Sequence, residues 1–149
     1  MSRLLTLDQI VLLRPKLKGV VLIGGVFDVL HTGHIEHIAE AKSLGKHLVV
    51  HITSDKRVRQ KKGKGRPFFS ENERAQLIGA LRDVDYVFIK DVPHYNKQII
   101  EAVRPDILFL NQEAVTDDIK AYISANTTTR VVISDAPKVN NSSDILKKL

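Results

Sequence analysis

Three histidines stand three residues apart in the segment GGVFDVLHTGHIEHIAEAK, which covers residues 24–42. If a helix begins near Thr32, this spacing places the imidazoles of His31 and His34 together at its N-terminal end. The exposed N–H groups and the positive dipole end of a helix bind anions. These residues therefore predict a phosphate-binding site with two imidazole donors.

The glycines of the same segment support this interpretation. Gly33 leaves the space between the two histidines without a side chain. Gly24 and Gly25 likewise carry no side chain at the end of the preceding apolar run. Without side chains at these positions, a phosphate can approach the backbone closely. Because the glycines agree with phosphate binding, we favour that role over packing for His31 and His34.

The other histidines fit a different role. His37 continues the spacing, yet its side chain is turned roughly 120° away from that of His31. The chain has no cysteine, and no nearby acidic triad completes a zinc site, so we predict no protein-bound metal. Packing is the expected role of His37, and also of His47, His51 and His94.

Two further residues of the segment are predicted to be structural. A carboxylate beside a phosphate site would repel the substrate unless a metal intervened. We therefore expect Asp28 to accept hydrogen bonds that hold the turn, as Asp commonly does. Phe27 is expected to anchor the core.

Length and composition limit the class of protein. The chain has 149 residues, of which 43% are hydrophobic, so it can bury one core, and we predict a single domain over residues 1–149. No apolar run approaches the roughly 20 residues that span a bilayer, and no signal-peptide pattern begins the chain. We therefore expect a cytoplasmic protein without a membrane partner.

The net charge of +6 is concentrated in one place. Residues 56–66, KRVRQKKGKGR, include seven basic side chains and no acidic one, so the rest of the chain is close to neutral. The run contains no aromatic side chain on which bases could stack, which weakens a nucleic-acid function. We predict a mobile basic loop that reaches for small phosphates.

The elements that must position these residues alternate along the chain. Short apolar runs predict buried strands at residues 20–23, 48–53, 86–89, 107–110 and 130–134. Amphipathic patterns predict helices at residues 35–44, 71–81, 96–103 and 117–125, with a further short helix at 143–149. Capping boxes at Thr6 with Gln9 and at Ser70 with Glu73 mark two helix starts.

This alternation predicts an α/β fold, a Rossmann-like doubly wound parallel sheet of about five strands with right-handed crossovers. Ligands of such sheets bind beyond the carboxyl ends of the strands, near the switch point. The histidine segment lies where the first strand leads into the first long helix. Topology and residue chemistry thus place a site at the same point.

The stretch GVFDVLHTGH, residues 25–34, resembles the G-x-F-D-x-x-H-x-G-H signature of the cytidylyltransferase-like nucleotidylyltransferase superfamily. The similarity extends over nearly the whole chain, through LTLDQIVLLRPKLKG, KGKGRPFFSENERAQLIGALRDVDYVF and SSDILKKL. In these stretches it is most similar to the nucleotidylyl domain of ADP-heptose synthases, which act in lipopolysaccharide core biosynthesis. Glycerol-3-phosphate cytidylyltransferases and archaeal FAD synthases are less similar.

The resemblance implies a defined reaction. Members of the superfamily transfer a nucleotidyl group from a nucleoside triphosphate to a phosphorylated small molecule, such as a sugar phosphate, and release pyrophosphate. The substrate implied is ATP (or CTP) with Mg²⁺, which the phosphates and water hold rather than a protein cage. Related enzymes are commonly homodimers, and we expect one here.

The resemblance also implies roles for the residues of the segment. The nucleotide phosphates contact the backbone of Gly25, Val26 and Phe27. They approach the helix closely at Gly33, which has no side chain. His31 and His34 donate hydrogen bonds to the phosphates as pyrophosphate departs.

Basic residues beyond the signature extend the implied site. Lys42 and Arg74 match phosphate-binding positions, although a solvated helix lysine and a surface arginine are the plain alternatives. Lys62, Lys64 and Arg66 match a mobile loop that closes over the triphosphate or the acceptor.

The chain departs from the family pattern at residues 110–114, and it also lacks the arginine of the cytidylyltransferases' R-T-x-G-x-S-T-T motif, for which Lys138 is the nearest basic residue. LNQEA, residues 110–114, replaces a K-G-G-D-Y-like segment, and Asn111 and Glu113 are the candidate nucleotide contacts there. Ser142 and Ser143 stand where the family often has S-T-T, and they fit either nucleotide binding or N-capping. The changed segment supports an alternative, a nucleotide-binding module with impaired catalysis. A nucleic-acid-binding protein that uses residues 56–66 is the third hypothesis and ranks last.

Overall fold

The computed structural model describes residues 3–92, 97–111 and 116–135. Its strands are β1 (Val20–Gly25), β2 (His47–Thr53), β3 (Tyr86–Lys90), β4 (Ile107–Leu110) and β5 (Arg130–Ile133). They form one sheet in the order β3-β2-β1-β4-β5, and every pairing is parallel. The predicted Rossmann-like α/β fold is confirmed, and each strand begins and ends within two residues of its predicted position.

Helices flank the sheet on both sides. They are α1 (Leu7–Leu13), α2 (Thr32–Ser43), α3 (Asp55–Lys62), α4 (Glu71–Gly79), α5 (Lys97–Val103) and α6 (Asp117–Asn126). Both predicted capping boxes are present, at Thr6 with Gln9 and at Ser70 with Glu73. The helix predicted at 143–149 lies outside the described residues. Within those residues, no helix is long and apolar enough to cross a membrane.

Two apolar layers hold the helices on the sheet. On one face, side chains of α2 and α4 such as Ile38 and Ile78 pack against the strands. On the other face, Ile10, Ile100 and Ile123 of α1, α5 and α6 do the same. Strand residues 48–52 of β2 are buried without interruption, as is typical of a parallel strand covered on both sides.

The basic segment is a helix over most of its length, so the prediction of a mobile loop is wrong there. Ser54 caps α3, since its Oγ accepts a hydrogen bond from the Arg57 amide at 3.3 Å. Val58 is buried, and three basic residues occupy the last turn, where the helix dipole favours cations. The helix ends at Gly63, whose φ of 91° a glycine adopts without strain.

The order of the strands places the switch point beside β1. This strand pairs with β2 on one side and with β4 on the other. The chain therefore moves from β1 to β3 in one direction and then returns to the other side of β1. The carboxyl ends of β1 and β4 form the edge at which this architecture binds ligands.

Candidate functional site

Two imidazoles cap the N-terminus of α2, directly after β1. His31 is the N-cap residue, and its Nδ1 accepts a hydrogen bond from the Gly33 amide at 3.1 Å. The amide of His31 in turn donates to Nδ1 of His34 at 3.3 Å. The two rings stack with centroids 3.8 Å apart. The predicted proximity of His31 and His34 at a helix start is confirmed.

These hydrogen bonds determine which ring nitrogens carry protons. A backbone N–H can only donate, so Nδ1 of each histidine is the acceptor and Nε2 carries the hydrogen. Burial lowers the pKa of His31. Burial first, and then the charges of His31, His37 and Lys62, lower the pKa of His34 to about 4. Both rings are therefore neutral at pH 7, and each presents an Nε2–H donor.

One of these donors has no acceptor among the described residues. Nε2 of His31 is buried, and no hydrogen-bond partner reaches it in the described parts of the chain. Buried polar groups are ordinarily hydrogen-bonded. A buried His31 Nε2–H at the N-terminus of α2 without an acceptor in the described residues therefore fits a site that binds an anionic ligand.

The turn between β1 and α2 is held in a constrained conformation. Phe27 has a φ of 51°, in the left-handed region that residues with a side chain seldom adopt. Its ring is buried and meets His34 edge-on at 5.1 Å, so its predicted role as a core anchor is confirmed. A Cβ on Gly25 would approach that ring to 3.0 Å. Glycine at this position thus permits the packing that supports His34.

Asp28 fixes a second segment to the turn. Its carboxylate accepts hydrogen bonds from the amides of Phe68 at 2.7 Å and Phe69 at 3.0 Å, and it is only 1% exposed. Burial would raise the pKa of Asp28, but these amides and the Arg66 guanidinium together lower it. The predicted structural role of Asp28 is confirmed.

The three cations expected in a mobile loop have three different environments. Arg66 Nε is ion-paired with Asp28 at 2.7 Å, which holds the segment against the turn, and its role in a loop that closes over the substrate stays a prediction. Lys64 is exposed between Gly63 and Gly65, which both have a positive φ. Lys62 lies close enough to His34 to lower its pKa, and it is the one of the three that the structure brings to the histidines.

Arg74 is a positioning residue, which corrects its predicted contact with phosphate. Its side chain is 0% exposed. The guanidinium donates to the carbonyls of Val26 at 2.8 Å, Thr53 at 2.7 Å and Phe69 at 2.9 Å, and to Asp55 Oδ1 at 2.7 Å. Four of its five N–H groups are therefore occupied. Arg74 joins the carboxyl ends of β1 and β2 to the starts of α3 and α4.

Lys42 is also placed away from the histidines, contrary to the prediction. It lies in the last turn of α2, about 15 Å along the helix axis from the first turn. Its Nζ pairs with Asp85 at 2.7 Å and donates to the Lys46 carbonyl at 2.6 Å. Lys42 therefore stabilises the amino-terminal edge of the sheet.

The remaining histidines pack as predicted, where the structure describes them. His37 stacks on Phe109 with centroids 4.8 Å apart, and His47 Nδ1 lies 2.8 Å from the Lys18 carbonyl. His51 is buried on β2. His94 lies outside the described residues.

The second part of the predicted nucleotide site is described only in part. Asn111 is exposed directly after β4, at the carboxyl edge of the sheet. Glu113, Ser142 and Ser143 lie outside the described residues, and their roles stay predictions. In the described ranges, no three His, Asp or Glu side chains converge as a metal site.

Lys90 is a candidate that the sequence analysis missed. It ends β3, is 5% exposed and lies beside the buried His51. A lysine that follows an apolar run is typical of the solvent-exposed end of a strand. The alternation of Tyr86, Phe88 and Lys90 on one face of β3 was the available signal that this ammonium faces the covered side of the sheet.

Comparison with known proteins gives consistent results. Bifunctional protein HldE of Campylobacter jejuni subsp. jejuni is 34% identical over 144 residues, which cover 95% of this chain and 30% of that protein. Bifunctional protein HldE of Syntrophotalea carbinolica is 43% identical over 97 residues, which cover 64% and 19%. The chain thus spans less than a third of the length of these curated relatives.

Solved structures with the same fold include relatives and more distant proteins. A lipopolysaccharide core biosynthesis protein from Thermoplasma volcanium is 35% identical, with a TM-score of 0.69 over 80% of this chain and 98% of that one. Pantoate-beta-alanine ligase from Francisella tularensis, at 16% identity and a TM-score of 0.65, shows the shared fold alone. The cytidylyltransferase-like family profile matches residues 22–148, which include the last four residues of β1 and both capping histidines. On that match, this chain belongs to the cytidylyltransferase-like family.

Proposed function

We propose that this chain transfers the adenylyl group of ATP to the phosphate of a small phosphorylated molecule, such as a sugar phosphate, and releases pyrophosphate. The observation that carries the proposal is the pair of neutral imidazoles at the start of α2. Backbone amides occupy Nδ1 of both His31 and His34, so the free donor of each ring is Nε2–H. Neutral donors beside a helix N-terminus suit a polyphosphate.

The proposed reaction needs positioning and charge stabilisation rather than a protein nucleophile. A phosphate oxygen of the acceptor attacks the α-phosphorus of ATP, and the bond from that phosphorus to the bridging oxygen of the β-phosphate breaks. Pyrophosphate leaves with the negative charge, and Mg²⁺ arrives and departs as part of the nucleotide substrate. His31 and His34 donate to the phosphate oxygens on which charge develops, and Lys62 adds a positive charge nearby.

The finer choice of substrates is supported by the relatives. The resemblance to ADP-heptose synthases supports ATP over CTP, and the HldE relatives together with the Thermoplasma volcanium protein support a sugar phosphate acceptor. We propose a single nucleotidylyltransferase domain that acts as a homodimer. On this proposal, nucleic acid is not a partner.

The test is a panel of substrates. Pyrophosphate release is measured with each nucleoside triphosphate against heptose 1-phosphate, glycerol 3-phosphate, FMN and phosphopantetheine. We expect turnover with ATP and a sugar phosphate. Turnover with CTP alone would overturn the nucleotide assignment.

The changed segment, residues 110–114, supports the second candidate, a nucleotide-binding module with impaired catalysis. ATP binding measured by calorimetry, combined with no turnover for any acceptor, would favour that candidate over the enzyme. A lack of ATP binding would contradict both.

A further inference from the structure

Two adjacent phenylalanines are exposed directly before α4. Phe68 is 63% exposed and Phe69 is 38% exposed, and their rings meet edge-on with centroids 5.4 Å apart. They precede Ser70, the N-cap residue of α4. Aromatic rings contribute a large apolar area to a binding interface, and neighbouring exposed apolar side chains rimmed by polar residues mark such interfaces. The two rings are therefore a candidate binding surface.

The segment that carries these rings is held through its backbone. Asp28 accepts hydrogen bonds from the amides of Phe68 at 2.7 Å and Phe69 at 3.0 Å. The carbonyl of Phe69 accepts a hydrogen bond from Arg74 Nε at 2.9 Å. The side chains of Asp28 and Arg74 are both 0% exposed. Buried partners thus fix the segment while the rings stay accessible, so a ligand that packs on the rings does not have to order the segment first.

This fixed segment lies beside the histidine site. Asp28, which holds it, is three residues before His31 in the turn that leads into α2. Helices α2 and α4 pack on the same face of the sheet. Arg74 also donates to the carbonyls of Val26 and Thr53, at the carboxyl ends of β1 and β2. The rings therefore stand at the edge of the sheet where this architecture binds ligands, next to the two histidines.

The order of the strands indicates which substrate reaches the rings. Thr53 ends β2, and Arg74 binds the carbonyls of Thr53 and Phe69 together, so the rings are on the β2 side of β1. Asn111, the candidate nucleotide contact within the described residues, follows β4 on the other side of β1. A nucleotide that extends from the histidines toward Asn111 leaves the β2 side to the acceptor.

We propose that Phe68 and Phe69 bind the acceptor by packing against a flat apolar ring face, which brings its phosphate to the nucleotide at His31 and His34. The assignment to an acceptor rests on the proposed function. The acceptor is then a phosphorylated molecule with a ring, either a sugar with a flat C–H face or an aromatic system, rather than a short open-chain phosphate. Phe68, the more exposed of the two, is the specificity residue.

The test compares ligands with and without a ring while the nucleotide site is filled. The protein is saturated with the non-reactive analogue α,β-methylene ATP, and heptose 1-phosphate, FMN or glycerol 3-phosphate is titrated by calorimetry. The variants are Phe68→Ala, which removes the ring, and Phe68→Leu, which keeps apolar bulk without a flat face. Leu12→Ala is the matched control, because Leu12 is 78% exposed on α1, which packs on the opposite face of the sheet.

We expect heptose 1-phosphate or FMN to bind more tightly than glycerol 3-phosphate, and the one that binds distinguishes a sugar ring from an aromatic ring. Phe68→Ala should weaken binding of that ligand by about five- to tenfold, as is typical for loss of one aromatic contact, and Phe68→Leu should weaken it less. Affinities for glycerol 3-phosphate and for the analogue should stay within about twofold. Leu12→Ala should change none of them. If Phe68→Ala does not fold, Phe68→Leu decides the matter.

Several results would overturn the proposal. They are no binding of either ligand that carries a ring, unchanged affinity in the Phe68 variants, and an equal loss in Leu12→Ala. A loss confined to the analogue would assign the rings to the adenine, and dissociation of a dimer in Phe68→Ala, measured by light scattering, would assign them to a second copy of the chain. Binding that depends on Phe68, without turnover for any acceptor, would overturn the proposed function and leave the ring-binding surface standing.

Discussion

At the scale of single residues, His34 combines a proposed catalytic role with few contacts that stabilise the fold. Its Nδ1 accepts one hydrogen bond at a helix terminus, and its ring meets Phe27 edge-on. We predict that His34→Ala lowers the rate of pyrophosphate release by about 10²–10³, the usual cost of one lost donor to developing charge. The melting temperature should change little.

His47→Ala is the matched control, because His47 lies at the amino end of β2 and bonds only to a surface carbonyl among the described residues. It should leave the rate of pyrophosphate release unchanged. A large fall in melting temperature for His34→Ala, without a selective loss of rate, would show that His34 is a packing residue.

The protonation of His34 gives a second prediction. With a pKa of about 4, this ring stays neutral as pH falls from 7 to 5, whereas a histidine in the unfolded chain gains a proton near pH 6.5. The unfolded state then binds more protons, so stability falls as pH decreases from about 6.5 toward 4. Histidine Cε1–H NMR signals followed over this range report the titration of His34 directly. A midpoint near 6.5 for His34 would contradict the neutral-donor account.

At the scale of elements, Arg74 connects four segments through one buried guanidinium. We predict that Arg74→Met lowers the free energy of unfolding by about 3–5 kcal/mol, because it leaves the Asp55 carboxylate and three carbonyls without their donor. Denaturant titration measures this loss. A stable Arg74→Met protein with a raised KM for ATP would instead restore the phosphate-binding role that its sequence position suggests.

The close packing of β1 on β2 gives a prediction about Gly24. A Cβ at this position would overlap the ring of His51 on the neighbouring strand. We predict that Gly24→Ala destabilises the protein by about 1–3 kcal/mol, as overpacked cores do. In a His51→Ala background, Gly24→Ala should lower the free energy of unfolding much less. An equal loss in both backgrounds would show that the Cβ does not meet the His51 ring.

The elements that the sequence predicted well are those with a strong apolar pattern. β1 to β5 are short apolar runs, and burial explains why the positions of β1, β2 and β4 are accurate, whereas β5 is a partly exposed edge strand marked by its apolar residues alone. α3 was missed because Val58 is its one buried residue, so no amphipathic period marks it. The signals that were present are the Ser54 cap, Asp55 in the first turn and the basic last turn.

The site could be predicted where a local motif determines the geometry. The spacing of His31 and His34 alone predicts that both rings lie at one end of the helix. Arg74 and Lys42 were misassigned because their partners, Asp55 and Asp85, are distant in sequence, and only the folded chain shows which donors are already occupied. Lys90 was missed for the same reason, since two of the groups that lower its pKa, Lys61 and Arg57, come from α3.

At the scale of the whole molecule, the parallel sheet brings these separate features to one edge. β1 supplies the turn and the histidines, β2 leads into the basic helix α3, and β3 ends at Lys90. The basic run at residues 56–66 follows β2 at this edge, where the proposed reaction would bring two phosphorylated substrates together. The position of the two histidines and that of the basic helix therefore both support the proposed site at this edge.

A crystal structure of the protein with α,β-methylene ATP and Mg²⁺ tests the central claim most directly. Our account predicts that phosphate oxygens lie about 3 Å from Nε2 of both His31 and His34 at the start of α2. A triphosphate bound at another place, with both imidazoles out of hydrogen-bonding distance, would contradict it.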